Sequence, residues 1–144
     1  MPDTYALDHA MRKMTRSQKI RYTVADYAPE TLEDLLRAAT SPLVVYGLYS
    51  EKTIFGAPCF NWAQRAHHDT VHMQNAWDTS VAGEYRVARR QCLELERLSG
   101  TTIANILWCD LWGQTQHMGA YGMFPTDQRA FTWHYYKTGQ IAQF

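Results

Sequence analysis

The sequence predicts a mainly α-helical single domain, an antiparallel bundle of about four to six helices with at most one short strand. Three observations support this. From residue 59 onward, apolar residues recur at helical spacing over long stretches. Short turn segments at Asp78-Thr79-Ser80, at Ser99-Gly100 and between Gly119 and Pro125 separate these stretches, and short connections favour antiparallel neighbours. Only Leu43-Val44-Val45-Tyr46 reads as a β-branched run, ending at Gly47. The chain has 144 residues, enough for one real core and too few for two comfortable ones.

Taken in order, residues 1–28 form a basic arm or a short helix, with Tyr5, Leu7, Met11 and Met14 spaced for an amphipathic helix. A helical domain over 29–144 follows. Pro29 opens its first helix; Glu30, Glu33 and Asp34 suit the positive end, and Leu32, Leu35 and Leu36 make the apolar stripe. Ser41-Pro42 ends it. The 43–46 run is a lone strand or an extended core segment, and Tyr49–Pro58 reads as a loop. A long helix runs from about Cys59 to Trp77. The next, capped by Asp78, Thr79 or Ser80, reaches about Leu98. Another covers Thr102 to about His117. Asp127 begins the last, through Tyr136, and the tail beyond it is expected to be loose.

Composition excludes several classes. Hydrophobic residues make up 46% of the chain, too many for a globally disordered protein. Lys plus Arg equals Asp plus Glu at 14 each, so no net field draws the protein to nucleic acid or an anionic membrane. One local patch stands out: Arg12, Lys13, Arg16, Lys19 and Arg21. It is either a solvated face or an anchor for phosphate groups or an acidic partner, and it is the only route to nucleic acid the sequence offers. There is no run of about 18 apolar residues, so no membrane span is expected. No apolar signal core is present, and Asp3 and Asp8 argue against a transit peptide. Cys59, Cys92 and Cys109 are far apart and odd in number, which suggests free thiols in a reducing compartment.

The chemistry sits where polar residues fall on apolar helical faces. His68 and His72 are four apart and project from one side of their helix. In the next helix, Glu84 and Gln91 lie within the face that carries Val87, Ala88 and Leu95. In the one after, Asp110, Gln114 and His117 lie within the face of Ile103, Ile106 and Leu107. A buried unpaired carboxylate is unfavourable, so these groups should be paired, hydrogen-bonded or metal-bound. Imidazole and carboxylate are ligands of a divalent ion, zinc first and iron or manganese next. His68, His72, Glu84 and Asp110 are the candidate ligands. Gln91, Gln114, His117 and His67 are candidates for holding them by hydrogen bonds, and His117 is also a ligand candidate in place of Asp110. Each has a plainer reading as well: a core-rim histidine pair, a helix N-terminal carboxylate, and a buried network that fixes helix register.

His68-Asp69-Thr70-Val71-His72 resembles the HExxH signature of zinc hydrolases, with Asp in place of Glu. That resemblance implies His68 and His72 as ligands and Asp69 as the catalytic base for a metal-activated water, with Asp one methylene shorter than Glu. The adjacent His68-Asp69 also resembles HD-domain phosphohydrolases, which implies a further His and Asp, here His9 and Asp110. The wider pattern of His68-Asp69-x-x-His72, Glu84-x-x-Val87-Ala88-x-x-Gln91 and Phe124-Pro125-x-Asp127-Gln128 resembles small uncharacterised proteins of phages and bacteria. It implies a real domain over residues 50–135 and lends no activity. The expectation is a metal-binding helical domain of hydrolase type in the cytoplasm of a bacterial or phage-infected cell. The alternative is a non-enzymatic interaction or virion-associated module with a structural polar core. Trp108 and Trp112, pointing away from the Asp110 face, would then make contacts in a homo-oligomer or larger assembly.

Overall fold

The computed structural model describes residues 4–38 and 42–144. Six helices and one two-stranded sheet occur among them: α1 (Tyr5–Ser17), β1 (Tyr22–Ala25), α2 (Leu32–Arg37), β2 (Leu43–Tyr46), α3 (Pro58–Asn75), α4 (Val81–Ser99), α5 (Thr101–Tyr121) and α6 (Gln128–Thr138). The mainly helical bundle matches the expectation. None of these helices is long and apolar enough to cross a membrane.

The strand at 43–46 is not alone. β1 runs parallel beside β2, with Tyr22 opposite Leu43 and Ala25 opposite Tyr46. A buried strand needs partners for its backbone donors and acceptors, and Val45 of β2 is fully buried. Tyr22-Thr23-Val24 is a β-forming triplet. It is too short to stand out beside the charged run before it, so the sequence reading allowed only one strand.

The segment expected as an arm or short helix folds as α1. Leu7, Met11 and Met14 are spaced four and three apart, and all are buried with Ile54, Phe55, Leu95, Ile106, Leu107 and Trp133 in the main core cluster. Arg12, Lys13 and Arg16 lie on the exposed side. A second cluster joins Leu35, Leu43, Val45 and Ala66, so the β1–α2–β2 unit packs on one side of α3. Phe60 of α3 packs against the main core, and α3 also lies along α4.

Cap chemistry sets the ends of the helices that carry the site. α2 starts at the Thr31 cap, not at Pro29: its hydroxyl accepts from Asp34 N at 3.1 Å. The expected stop at Ser41 lies outside the described residues. α3 closes with Ala76 in the left-handed region, φ 51°. At the start of α4, the Ser80 hydroxyl accepts from Gly83 N at 3.1 Å while donating to Asp78. A Cβ on Gly83 would sit 1.9 Å from the Asp78 carbonyl oxygen, so only glycine allows this close turn.

The tail is docked, contrary to the expectation of a loose end. Thr126 N donates to the Phe144 carbonyl at 3.1 Å, Phe144 N donates to His117 Nε2 at 3.3 Å, and the Phe144 ring meets Phe131 edge-on. An aromatic terminal residue has enough apolar surface to offset the loss of chain freedom.

Candidate metal centre

α3 carries His68 and His72 one turn apart, and the first turn of α4 brings Glu84 against both. His68 Nε2 lies 2.9 Å from Glu84 Oε2, His72 Nε2 lies 3.3 Å from Glu84 Oε1, and the two Nε2 atoms are 3.2 Å apart. These are the only His, Cys, Asp or Glu side chains among the described residues that gather in a group of three or more with ligand atoms within 4.8 Å. His72 is buried, while the His68 and Glu84 side chains are 19% and 22% exposed, so solvent reaches the group from that side.

The other nitrogen of each ring is tied to an oxygen that can only accept. The αL turn at Ala76 folds the chain back so that the Trp77 carbonyl accepts from His72 Nδ1–H at 2.8 Å. His68 Nδ1–H donates to Gln91 Oε1 at 2.8 Å. Both Nε2 atoms are thereby left to face Glu84, the second-sphere pattern common around metal-bound histidines.

Gln91, fully buried, also links His68 to His67: its Nε2 lies 2.7 Å from His67 Nδ1. His67 Nε2 in turn lies 3.1 Å from Glu94 Oε2, which Gln18, just past the end of α1, also reaches at 3.0 Å, while Arg90 donates to Oε1 at 3.0 Å. Gln91 thus bonds His68, and His67 bonds Gln91, while neither bonds His72. Glu94 and Gln18 were not anticipated. Glu94 lies three residues after Gln91, a spacing that places both on one side of α4 and was available as a signal.

Electrostatics follow this geometry. Burial opposes the charged form of both His68 and Glu84, but their mutual hydrogen bond and charge outweigh it. His68 is held above the ordinary histidine value, and Glu84, with His72 also contributing, is held down to about 2. Burial lowers His67, with Glu94 opposing only in part.

Asp69 stands partly buried beside the group. Burial pushes its carboxyl up to about 6, while the charges of His68 and His72 pull the other way. The Arg65 guanidinium, which also acts on Asp69, donates to the carbonyls of Tyr46, Leu48 and Tyr49, tying α3 to the end of β2.

Two expectations are corrected. Asp110 is not in the gathered group. Its Oδ1 accepts from Gln114 Nε2 at 2.7 Å and from the Thr132 hydroxyl of α6 at 3.0 Å, so it serves the α5–α6 interface. Burial raises its carboxyl to about 6. Gln114 therefore holds Asp110 and no ligand. His117 is a structural tie: Nδ1–H donates to the Met123 carbonyl at 2.6 Å and Nε2 accepts from the tail. A helical wheel places a residue on a face but does not say which neighbour it meets there: Asp110 meets Thr132 of α6, and His117 meets the Met123 carbonyl and the tail. The four-residue set that the HD-type alternative requires is also not assembled, since His9 is an exposed residue of α1.

Arg12, Lys13, Arg16, Lys19 and Arg21 are all exposed. Trp108 and Trp112 are half-buried and stack on each other, with Tyr85 packed edge-on to both at 5.6 and 5.2 Å between ring centres.

Neither family models, curated proteins nor solved structures match this chain. What the centre can do is therefore read from its own atoms.

Proposed function

We propose that this chain is a metal-binding helical domain whose divalent ion is held by His68 Nε2, His72 Nε2 and the Glu84 carboxylate. The observation that carries this is the gathering of one ligand atom from each of these three residues within 4.8 Å. Around an ion bonded at about 2.0–2.2 Å, neighbouring ligand atoms lie roughly 2.8–3.6 Å apart, according to the geometry. The two Nε2 atoms are 3.2 Å apart, and His68 and His72 lie 2.9 and 3.3 Å from the two different oxygens of the Glu84 carboxylate. Two imidazoles and a carboxylate suit zinc first, and also iron or manganese. Three protein ligands leave a coordination position free, and the partial exposure of His68 and Glu84 gives it a path to solvent.

The finer reading is a hydrolase. A bound ion of this kind acidifies water. Asp69, raised to about 6 beside the ligands, is the proton acceptor in that reading, since a base works best with a pKa near the working pH.

Elemental analysis of the purified wild type beside the His68→Ala/His72→Ala double variant tests the ion. Near-stoichiometric metal that disappears in the double variant is the expected result. A wild type that holds no metal after loading with zinc, iron or manganese, beside an equally stable double variant, would overturn the proposal. The polar cluster would then be a structural network. Asp69→Asn tests the finer reading on chromogenic phosphate and carboxylic esters: turnover should fall while metal content is retained.

A further inference from the structure

We propose that Gln91 is a positioning residue for this centre, fixing from within the core which nitrogen of His68 is offered to the ion. This inference rests on the metal-binding reading above. It follows from the direction of four consecutive hydrogen bonds.

The chain of bonds starts at a carboxylate. Glu94 only accepts, and Arg90 and Gln18 hold it in place at 3.0 Å each. His67 Nε2 lies 3.1 Å from Glu94 Oε2 and 3.2 Å from the Gln18 amide nitrogen, which itself donates to Glu94. A bare Nε2 would face the carboxylate's negative charge, so the favoured ring carries its proton there. His67 Nδ1 faces the amide nitrogen of Gln91 at 2.7 Å, and an amide nitrogen only donates, so Nδ1 is bare. The Gln91 amide is thus fixed in one sense, with its oxygen toward His68. That oxygen only accepts, so His68 Nδ1, 2.8 Å away, carries a proton, and Nε2, 2.9 Å from the Glu84 carboxylate, is the nitrogen whose proton an ion would displace.

The bonds that Arg90 and Gln18 make to Glu94 are exposed, but those from Glu94 inward to His68 are buried or partly buried, and His67 and Gln91 are fully buried. Water therefore competes little for the two bonds of the Gln91 amide. His72 needs no such device, because the Trp77 carbonyl performs the same task directly. The two ligand rings thus reach one arrangement by different routes, one through the backbone of their own helix end and one through the side chain of the next helix.

Removing the amide frees the His68 ring to hold its proton on Nε2 against Glu84, which masks the donor atom. Leucine at position 91 keeps the volume and loses both bonds. Loss of a second-sphere partner typically weakens metal binding about 10- to 100-fold.

The experiment uses the full chain, zinc as the probe, and two readouts. Two-bond proton–nitrogen spectra of the histidine rings in the metal-free wild type should show His67 protonated on Nε2 alone and His68 protonated on Nδ1. Competition titration should show the zinc Kd of Gln91→Leu raised about 10- to 100-fold over wild type. His67 protonated on Nδ1 in the wild type, or a folded Gln91→Leu protein with zinc affinity within about twofold of wild type, would overturn the inference. If Gln91→Leu does not fold, the wild-type ring spectra decide it. If the wild type binds no zinc, the metal-binding reading fails by itself. The spectra of the same sample then still uphold or overturn the bond polarity that the inference asserts.

Discussion

His72 Nε2 lies 3.2 Å from His68 Nε2, the two rings meeting nearly edge to face at 73°. The Nδ1 atom of each ring is tied to an oxygen that only accepts. Two bare ring nitrogens at this distance repel each other and the Glu84 carboxylate beside them. A positive charge belongs at that point. In the metal-free protein it is a proton, which is why His68 titrates above its ordinary value and Glu84 below. In the proposed metal-bound protein it is the ion.

Proton and metal therefore compete for His68. Because burial is outweighed by the Glu84 hydrogen bond, the folded His68 holds its proton to higher pH than a free histidine does. Zinc affinity should rise with pH and level off above the raised pKa of His68. Below that point it should fall by about tenfold per pH unit for the one proton displaced. Competition titrations from acidic to mildly alkaline pH give the slope. An affinity independent of pH across that range would contradict the competition.

Asp110 makes the metal-free fold sensitive to pH in the opposite sense to an ordinary salt-bridged aspartate. Burial raises its carboxyl from 3.8 to about 6, so the folded state binds the proton more tightly than the unfolded state. The stability it contributes is full below about 4 and is lost as pH rises through about 6. Asp110→Asn keeps an oxygen for Gln114 and Thr132 and removes the charge. The variant should match wild type near pH 4 and exceed it above pH 6 by roughly 1–3 kcal/mol. Urea unfolding of the metal-free proteins at two pH values measures this; equal stability at both would refute it.

Gly83 should not tolerate a methyl group. Its Cβ would fall 1.9 Å from the Asp78 carbonyl oxygen, a backbone atom that cannot swing aside. Gly83→Ala should lower stability by about 1–3 kcal/mol. It should also weaken zinc binding, because the first turn of α4 would move and carry the neighbouring Glu84 with it. Thermal unfolding together with zinc titration checks both effects.

Ala76 is a different case, in which glycine is missing where the backbone favours it. A φ of 51° is unfavourable for alanine and free for glycine. Ala76→Gly should stabilise the protein by about 0.5–1 kcal/mol, raising Tm by roughly 1–4 °C. Zinc affinity should stay unchanged, since the turn that presents the Trp77 carbonyl to His72 is kept. Loss of affinity would mean that the rigidity of the alanine turn matters to the site.

Much of the centre was legible before folding because helical spacing is a local property. The i,i+4 relation alone puts His68 and His72 on one side of α3. The turn at 78–80 brings α4 back antiparallel, so a residue early in α4, Glu84, meets one late in α3. Gln91, buried among apolar neighbours on its wheel, announced a hydrogen-bonding task.

Other features were decided only in three dimensions. Asp110 shares the polarity and apparent face of a ligand, yet its level along α5 opposite Thr132 gives it to α6. The Trp77 carbonyl is a backbone atom and leaves no trace in composition. Glu94 lies on the side of α4 that Gln91 occupies, but only the contacts with Gln18, just past the end of α1, and with His67 of α3 give it partners besides Arg90. By itself the sequence determined the helices, their order and the pairing of two histidines with a glutamate, because those follow from periodicity and short turns. Tertiary structure decided the second strand, the docked tail, the exclusion of Asp110 and His117 from the gathered group, and the partners that each ring nitrogen meets, because those depend on contacts between residues that spacing along one helix does not relate.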